Sequence, residues 1–308
     1  MTTSTPFAPS DVEDGEARPD RPDGPGGPGA AAVVVGVDGT ECGLGAVKWA
    51  AQEAARRDAP LRIMHAIPAP RRRGGADPAP APPPHARRIT AQAYTVAKHT
   101  EAGVRSVTEV VAGDAAKVLL TAAAEGQLVV LGKSTTGAAD EWVLAPVALK
   151  VAARSPRPVV LVPRPRGEVA GRPVSAVLGV GEPADDELVA DFAAEAARRA
   201  GTPLSVLQVR RHRAVPDDWT QDDSEWEQRF PGLEVRRSEL PHATAAQVLA
   251  AASPAPLMVL SAGHGSLLHR DLDGPHRWLL RHCTSPMALV PPAHRSGLDP
   301  REEIVALG

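Results

Sequence analysis

Residues 33–40 read Val-Val-Val-Gly-Val-Asp-Gly-Thr, and the fold prediction starts from this stretch. The unbroken apolar run predicts a strand buried on both faces, and the Asp-Gly pair predicts a turn directly after it. Apolar residues then recur at helical spacing from Gly43 to Arg57, until Asp58-Ala59-Pro60 ends the helix. Residues 61–67 form a second apolar run. A strand, a helix and a strand in this order predict a parallel βαβ unit.

The same alternation continues to residue 163. The proline-rich residues 68–85 interrupt it and predict an exposed loop. The remaining elements are predicted as helices near 87–102, 114–124 and 142–153, and strands at 104–111, 127–132 and 158–163. Short buried strands that alternate with helices predict a doubly wound, mostly parallel sheet.

The second half of the chain repeats the first. Glu-Ala-Ala-Arg-Arg occurs at 53–57 and again at 195–199, and Gly36 at the first strand is matched by Gly179. Similarity at so long a period predicts a domain duplication rather than a solenoid. The predicted divisions are a disordered tail at 1–31, a first domain at 32–163, a linker at 164–173, a second domain at 174–292 and a C-terminal tail at 293–308.

The composition is that of a soluble globular protein. The chain has 308 residues, 43% hydrophobic and 23% charged, and its net charge of −3 gives no support to nucleic-acid or membrane binding. Cys42 and Cys283 lie far apart without metal-ligand spacing, which indicates a reducing, cytoplasmic environment and predicts no metal site. No apolar run is long enough to span a bilayer.

Four segments together resemble the universal stress protein family. They are Val-Gly-Val-Asp-Gly at 35–39, Gly-Asp at 113–114, Leu-Val-Val-Leu-Gly at 128–132 and Pro-Val-Val-Leu-Val at 158–162. The resemblance implies an α/β protein of two tandem Rossmann-like, adenine nucleotide alpha hydrolase-like domains. Each domain would be a five-stranded, mostly parallel sheet flanked by helices. It also implies that the last strands pair, either between the two domains or in a homodimer.

Many members of that family bind ATP through an aspartate after the first strand and a Gly-x2-Gly-x9-Gly-Ser/Thr pattern after the fourth. Asp38 matches the aspartate and Gly132 the first glycine, whereas Thr135, Ala145 and Pro146 replace the later residues. These replacements add Cβ atoms and remove an N–H where phosphates would approach. The candidate ATP-binding residues are Asp38, Gly39, Thr40, Ala66, Gly132, Lys133, Ser134, Thr135, Gly137 and Val147.

The second domain departs further from the family pattern. Gly181 stands at the predicted aspartate position, and Pro275 replaces Ser/Thr after Gly274. Residues 260–265 contain glycines that are not at the family spacing. The resemblance therefore predicts that the nucleotide site of the second domain is lost.

Several polar residues have both a functional and a structural interpretation. Asp38 is either a ligand residue or a cap of the turn into the first helix. Residues 133–136, Lys-Ser-Thr-Thr, either hold an anion or form a solvated loop at the strand edge. Residues 264–282 contain four histidines whose spacing matches no metal motif, which predicts a polar loop or a pH-sensitive surface. His65 is predicted to be a half-buried structural histidine.

The predicted function is a non-enzymatic binding or regulatory module of the stress response, with a degenerate nucleotide site and an unknown protein partner. No Ser/His/Asp order, nucleophile elbow or carboxylate pair indicates catalysis. A first alternative is an adenine-nucleotide sensor that uses Asp38, Gly132 and residues 133–137. A second is an ATP pyrophosphatase-like enzyme, which would need Ser-Gly-Gly-x-Asp where residues 38–41 read Asp-Gly-Thr-Glu.

Overall fold

A computed structural model of the protein describes residues 31–69, 81–133, 146–164, 171–179, 183–210, 223–252, 254–263 and 274–292. The strands are β1 (Val33–Gly36), β2 (Leu61–Ile67), β3 (Ser106–Ala112), β4 (Leu128–Gly132), β5 (Val159–Val162), β6 (Val174–Leu178), β7 (Leu204–Arg210), β8 (Val235–Pro241), β9 (Met258–Ser261) and β10 (Met287–Val290). The helices are α1 (Glu41–Arg56), α2 (Pro84–Thr100), α3 (Ala115–Glu125), α4 (Pro146–Arg154), α5 (Pro183–Ala200), α6 (Asp223–Arg229), α7 (Ala245–Ala252) and α8 (Gly274–His282).

The ten strands form one sheet in the order β3-β2-β1-β4-β5-β10-β9-β6-β7-β8. Each half has the same internal order and is parallel, and the two halves meet where β5 and β10 pair antiparallel. This confirms the predicted pair of doubly wound α/β domains. The antiparallel seam is the pairing of last strands that the resemblance implied, made here within one chain.

Helices cover both faces of the sheet because its central strands are apolar on both sides. Val33 and Val35 of β1 pack in the layer formed by α1, α2, α5 and α6, whereas Val34 packs in the layer of α3, α4, α7 and α8. Each layer is continuous across the β5–β10 seam, so the two domains share their hydrophobic core. Within the described residues, no helix is both long enough and apolar enough to cross a membrane.

Two helices begin at residues that explain their start. Thr40 caps α1, since its Oγ1 accepts a hydrogen bond from the Gly43 N–H at 3.1 Å. α2 begins at Pro84, inside the predicted loop, because proline is favoured in the first helical turn. α4 is described from Pro146 onward, and residues 142–145 of the predicted helix lie outside the described residues.

The register of the strands corrects the predicted alignment of the two domains. Val33 pairs with Leu61 and Val174 pairs with Leu204, which makes Val174 the counterpart of Val33. Gly179 therefore occupies the position of Asp38, and its predicted match to Gly36 is wrong, as is the placement of Gly181. The misalignment has a physical cause, because a strand that is apolar at every position has no sequence feature that fixes its register.

Candidate functional site

A cleft of about 170 Å³ opens in the first domain at the carboxyl ends of β1 and β4. These neighbouring strands are where the strand order reverses, the place where open α/β sheets bind ligands. Four of the predicted site residues line it, namely Asp38, Ala66, Gly132 and Val147. The other lining residues were not among the predicted site residues; they are Gly36, Val37, Gly43, Met64, His65, Ala115, Val118, Leu119, Leu131 and Ala148.

Asp38 stands at the mouth of the cleft and organises the turn into α1. Its exposed carboxylate accepts hydrogen bonds from the N–H of Thr40 at 2.9 Å and from the Thr40 hydroxyl at 2.6 Å. Gly39 has a φ of +86°, a conformation that favours glycine. The helix cap itself is Thr40, so Asp38 holds the capping residue in place and still borders the cleft.

Gly132 and Gly43 allow two backbones to approach closely beside the cleft. A Cβ atom on Gly132 would lie 2.6 Å from the carbonyl group of Cys42, and one on Gly43 would lie 2.8 Å from the Asp38 carboxylate. The end of β4 therefore rests on the first turn of α1. Because the partial positive charge of a helix lies at its N-terminus, this arrangement favours an anionic or electron-rich ligand group.

Lys133 is turned into the junction between the domains. Its side chain is 3% exposed, and its Nζ donates a hydrogen bond to the Cys283 carbonyl of the second domain at 2.5 Å. Its backbone N–H donates to the Val162 carbonyl at 2.7 Å and extends the pairing of β4 with β5. Lys133 is absent from the cleft lining, and Ser134, Thr135 and Gly137 lie outside the described residues.

His65 forms part of the wall of the cleft. Its Nδ1 lies 2.7 Å from the Val37 carbonyl, and its side chain is half-buried. This confirms the predicted half-buried environment and adds a place in the site. Its position at the carboxyl end of β2, directly before Ala66, is the signal that the sequence offered.

The corresponding place in the second domain is filled by side chains. Gly43 lies ten residues before the Glu of the repeated Glu-Ala-Ala-Arg-Arg motif, and Asp185 lies ten residues before the same Glu in the second copy, so the two correspond. In the same way, Ala148 and His276 correspond, because each lies ten residues before the proline that precedes the last strand of its domain. Ala262 donates its N–H to Val290 as Lys133 does to Val162, which makes Ser261 the counterpart of Gly132. The three small residues Gly43, Gly132 and Ala148 are thus replaced by Asp185, Ser261 and His276.

These three replacements are buried and bonded to one another. Asp185, Ser261 and His276 are 2%, 1% and 0% exposed. The Ser261 hydroxyl donates to the Asp185 carboxylate at 3.2 Å, and His276 Nε2 lies 2.8 Å from the Ser261 carbonyl. They occupy the space of the second domain that corresponds to the open cleft of the first.

Asp186 adds a further carboxylate beside the position in the second domain that corresponds to Asp38. Both its carboxylate oxygens accept from the Gly179 N–H, at 2.9 and 2.8 Å. Burial, with a further contribution from the Asp185 charge, raises the pKa of Asp186 from 3.8 to about 6, against the opposing effect of the Gly179 hydrogen bond. Gly179 has a φ of +78°, and a Cβ there would lie 2.1 Å from the Val209 carbonyl. An aspartate therefore does not fit at this position in the second domain.

The prediction of a polar or pH-sensitive surface at residues 264–282 is wrong for His276. This histidine lies on α8 and is fully buried, because it packs into the filled cleft. His282 is exposed at the end of the same helix, whereas residues 264–273 lie outside the described residues. Among the described residues, no group of three or more His, Cys, Asp or Glu side chains is arranged to hold a metal ion.

The chain is a tandem α/β protein with an open cleft in its first domain, where the strand order reverses. Residues 31–163, which form the first domain, match the universal stress protein family. It is 25% identical to universal stress protein Rv2624c of Mycobacterium tuberculosis over 210 residues, 66% of this chain and 75% of that protein. It is 26% identical to a universal stress protein of Mycolicibacterium smegmatis over 285 residues, 84% and 97% of the two chains.

The solved structures show the same fold at lower sequence identity. A universal stress protein from Archaeoglobus fulgidus superposes with a TM-score of 0.64 at 16% identity, over 84% of this chain and 98% of that one. The functionally unknown protein PA1789 from Pseudomonas aeruginosa gives a TM-score of 0.65 at 14% identity, over 90% and 98% of the two chains. The continuous arrangement of two domains is thus shared with other proteins of this fold.

Proposed function

We infer that the protein is a non-enzymatic, stress-response binding module whose first domain binds an adenine nucleotide and whose second domain has lost that capacity. The contrast between the two clefts carries the proposal. Small residues keep the first cleft open, whereas Asp185, Ser261 and His276 fill the second. A duplicated fold that keeps one cleft open and fills the other indicates a ligand in the open one.

The chemistry of the open cleft supports a nucleoside ligand. The Asp38 carboxylate borders an otherwise mainly apolar cleft, and a carboxylate after the first strand can accept hydrogen bonds from ribose hydroxyls. Met64 and Val147 offer apolar surface to a base. The close approach of Gly132 to α1 places a helix N-terminus beside the cleft, where it favours phosphate.

A second candidate is a protein-interaction module that binds no nucleotide. Two observations favour it over a triphosphate site. Pro146, the first described residue of α4, has no N–H to offer a phosphate, and Lys133 is engaged at the domain junction. The partner would then be a protein.

Calorimetric titration of ATP, AMP and adenosine into the full chain separates these two functions. We expect at least one of the three to bind, and Asp38→Ala to weaken it about tenfold or more, since hydrogen bonds to a charged group are lost. Glu41→Ala is the matched control, because Glu41 is an exposed carboxylate of the same segment outside the cleft lining. No binding of any of the three ligands would leave the interaction module.

The non-enzymatic part of the proposal has its own test. Incubation of the protein with ATP is expected to release no ADP or AMP above the rate without protein. Release that Asp38→Ala abolishes and Glu41→Ala preserves would instead make the protein a nucleotide hydrolase.

A further inference from the structure

The repeated Glu-Ala-Ala-Arg-Arg motif lies at the C-terminal end of α1 and again at that of α5, and the two copies meet across the domain junction. Glu53 is 5% exposed, and its Oε1 lies 2.6 Å from Arg57 Nε of the same helix. The same oxygen lies 3.7 Å from Arg199 Nε of the second domain. One buried carboxylate therefore lies between two arginines, one from each domain.

This group contains two arginine side chains, 8% and 20% exposed, and one buried carboxylate. Glu195 pairs with Arg199 Nη1 at 3.0 Å, but its side chain is 62% exposed and is largely screened by solvent. Burial lowers the pKa of Arg57, and the Arg199 charge lowers it further against the opposing effect of Glu53. Two guanidinium groups thus share one buried counterion, and buried charges are costly without full pairing.

Three nitrogen atoms of these arginines are buried without a hydrogen-bond acceptor among the described residues. They are Arg57 Nη2, Arg199 Nε and Arg199 Nη2. The 3.7 Å contact of Arg199 Nε with Glu53 is too long for a hydrogen bond. Unsatisfied buried donors are rare in folded proteins, and a bound ion or water is a usual explanation.

The Arg57 guanidinium is held in a fixed plane. Its side chain is 8% exposed, its Cζ lies 5.6 Å from the centre of the Phe192 ring, and its Nη1 donates to Gln127 at 3.0 Å. An arginine over an aromatic ring donates hydrogen bonds within its own plane. Nε and Nη1 are used, so Nη2 is the donor that remains for a ligand.

We propose that Arg57 and Arg199 bind a small oxyanion of the phosphate type at the junction of the two domains. Planar guanidinium groups match the paired oxygens of phosphate, and the anion would balance the excess positive charge. Gly43, at the nucleotide cleft, and Arg57 are separated along α1 by roughly 21 Å. The phosphate of a nucleotide in the cleft does not reach the arginines, so the oxyanion site is a second, independent site.

The test is calorimetric titration of inorganic phosphate into the full chain, in a chloride buffer of constant ionic strength. We expect the wild-type protein to bind phosphate, and Arg199→Gln to bind it about tenfold or more weakly. Arg198→Gln is the matched control, because it removes an exposed arginine of the same motif. Asp38→Ala is expected to leave phosphate binding unchanged, since it alters only the cleft.

Each outcome decides the proposal. Absence of phosphate binding by the wild-type protein, or unchanged affinity in Arg199→Gln, would overturn it. Loss of binding in Asp38→Ala would place the phosphate in the cleft and overturn it as well. If Arg199→Gln does not fold, Arg199→Lys replaces it, because lysine keeps the charge but has no planar pair of donors. Affinity equal to wild type in that variant would contradict the assignment.

Discussion

Single residues decide which of the two clefts is open. The first cleft remains open because the residues at three of its positions are small. They are two glycines, Gly43 and Gly132, and one alanine, Ala148. In the second domain, Asp185 and Ser261 satisfy each other inside the corresponding space. Polar side chains are tolerated there because they are hydrogen-bonded, which is the condition for burying them at low cost.

Asp186 makes the stability of the second domain depend on pH in an unusual direction. Its pKa is raised from 3.8 to about 6 in the folded protein. Between these two pH values the folded state therefore keeps a proton on Asp186 that the unfolded state has already lost. The stabilisation is fully present below pH 3.8 and is lost as the pH rises through about 6. The linkage between proton binding and folding puts the lost free energy of unfolding at about 3 kcal/mol for this residue.

We therefore expect the free energy of unfolding to fall less between pH 4 and 7 in Asp186→Asn than in the wild-type protein. Urea unfolding at several pH values in that range measures it. The asparagine oxygen can still accept from Gly179 without titrating. Asp191→Asn, on the exposed side of α5, is the control and is expected to follow the wild-type profile. Equal pH profiles for Asp186→Asn and the wild type would show that Asp186 does not hold the proton.

At the level of the elements, α4 and α8 occupy equivalent places and differ in what they put into the cleft. α4 places Ala148 at the wall, and α8 places His276 into the same space. One position on one helix therefore accounts for much of the difference between the domains. A substitution that copies α8 into α4 tests this.

We expect Ala148→His to abolish nucleotide binding in the first domain, because the imidazole would fill the cleft as His276 does in the second. Calorimetry with the ligand that the wild-type protein binds measures the loss, and circular dichroism shows whether the fold is kept. Lys150→Ala, an exposed position of the same helix, is the control with expected wild-type binding. A folded Ala148→His protein with undiminished affinity would place the ligand elsewhere.

The elements were largely predictable from the sequence, and the site only in part. Apolar strand runs and the duplicated motif indicate two α/β domains, and the residues that follow β1 and end β4 indicate Asp38 and Gly132 as site residues.

Gly43 was missed, although glycine inside a helix is unfavourable and can mark a close backbone approach. Ala148 was missed because an alanine on the buried side of a helix resembles any core residue. The partner of Lys133 lies 150 residues away, and sequence spacing carries no information on such a contact.

For the whole molecule, the continuous sheet and the shared core predict that the two domains unfold as one cooperative unit. β5 and β10 are buried along their entire length, and Val160 pairs with Ala288 at the centre of the seam. Lys133 adds a polar link, since its ammonium group is held by the Cys283 carbonyl on the other side. Lys133, directly after β4, is thereby linked to the second domain.

We expect Lys133→Met to keep the buried volume but leave the Cys283 carbonyl without this donor, at a cost of about 1–3 kcal/mol. Because the seam is shared, amide hydrogen exchange should accelerate in β5 and β10 together, as followed by mass spectrometry. Lys150→Met removes an exposed lysine of α4 and should leave both strands protected. Faster exchange in only one of the two strands would show that the domains open separately, and that the single sheet is not a single cooperative unit.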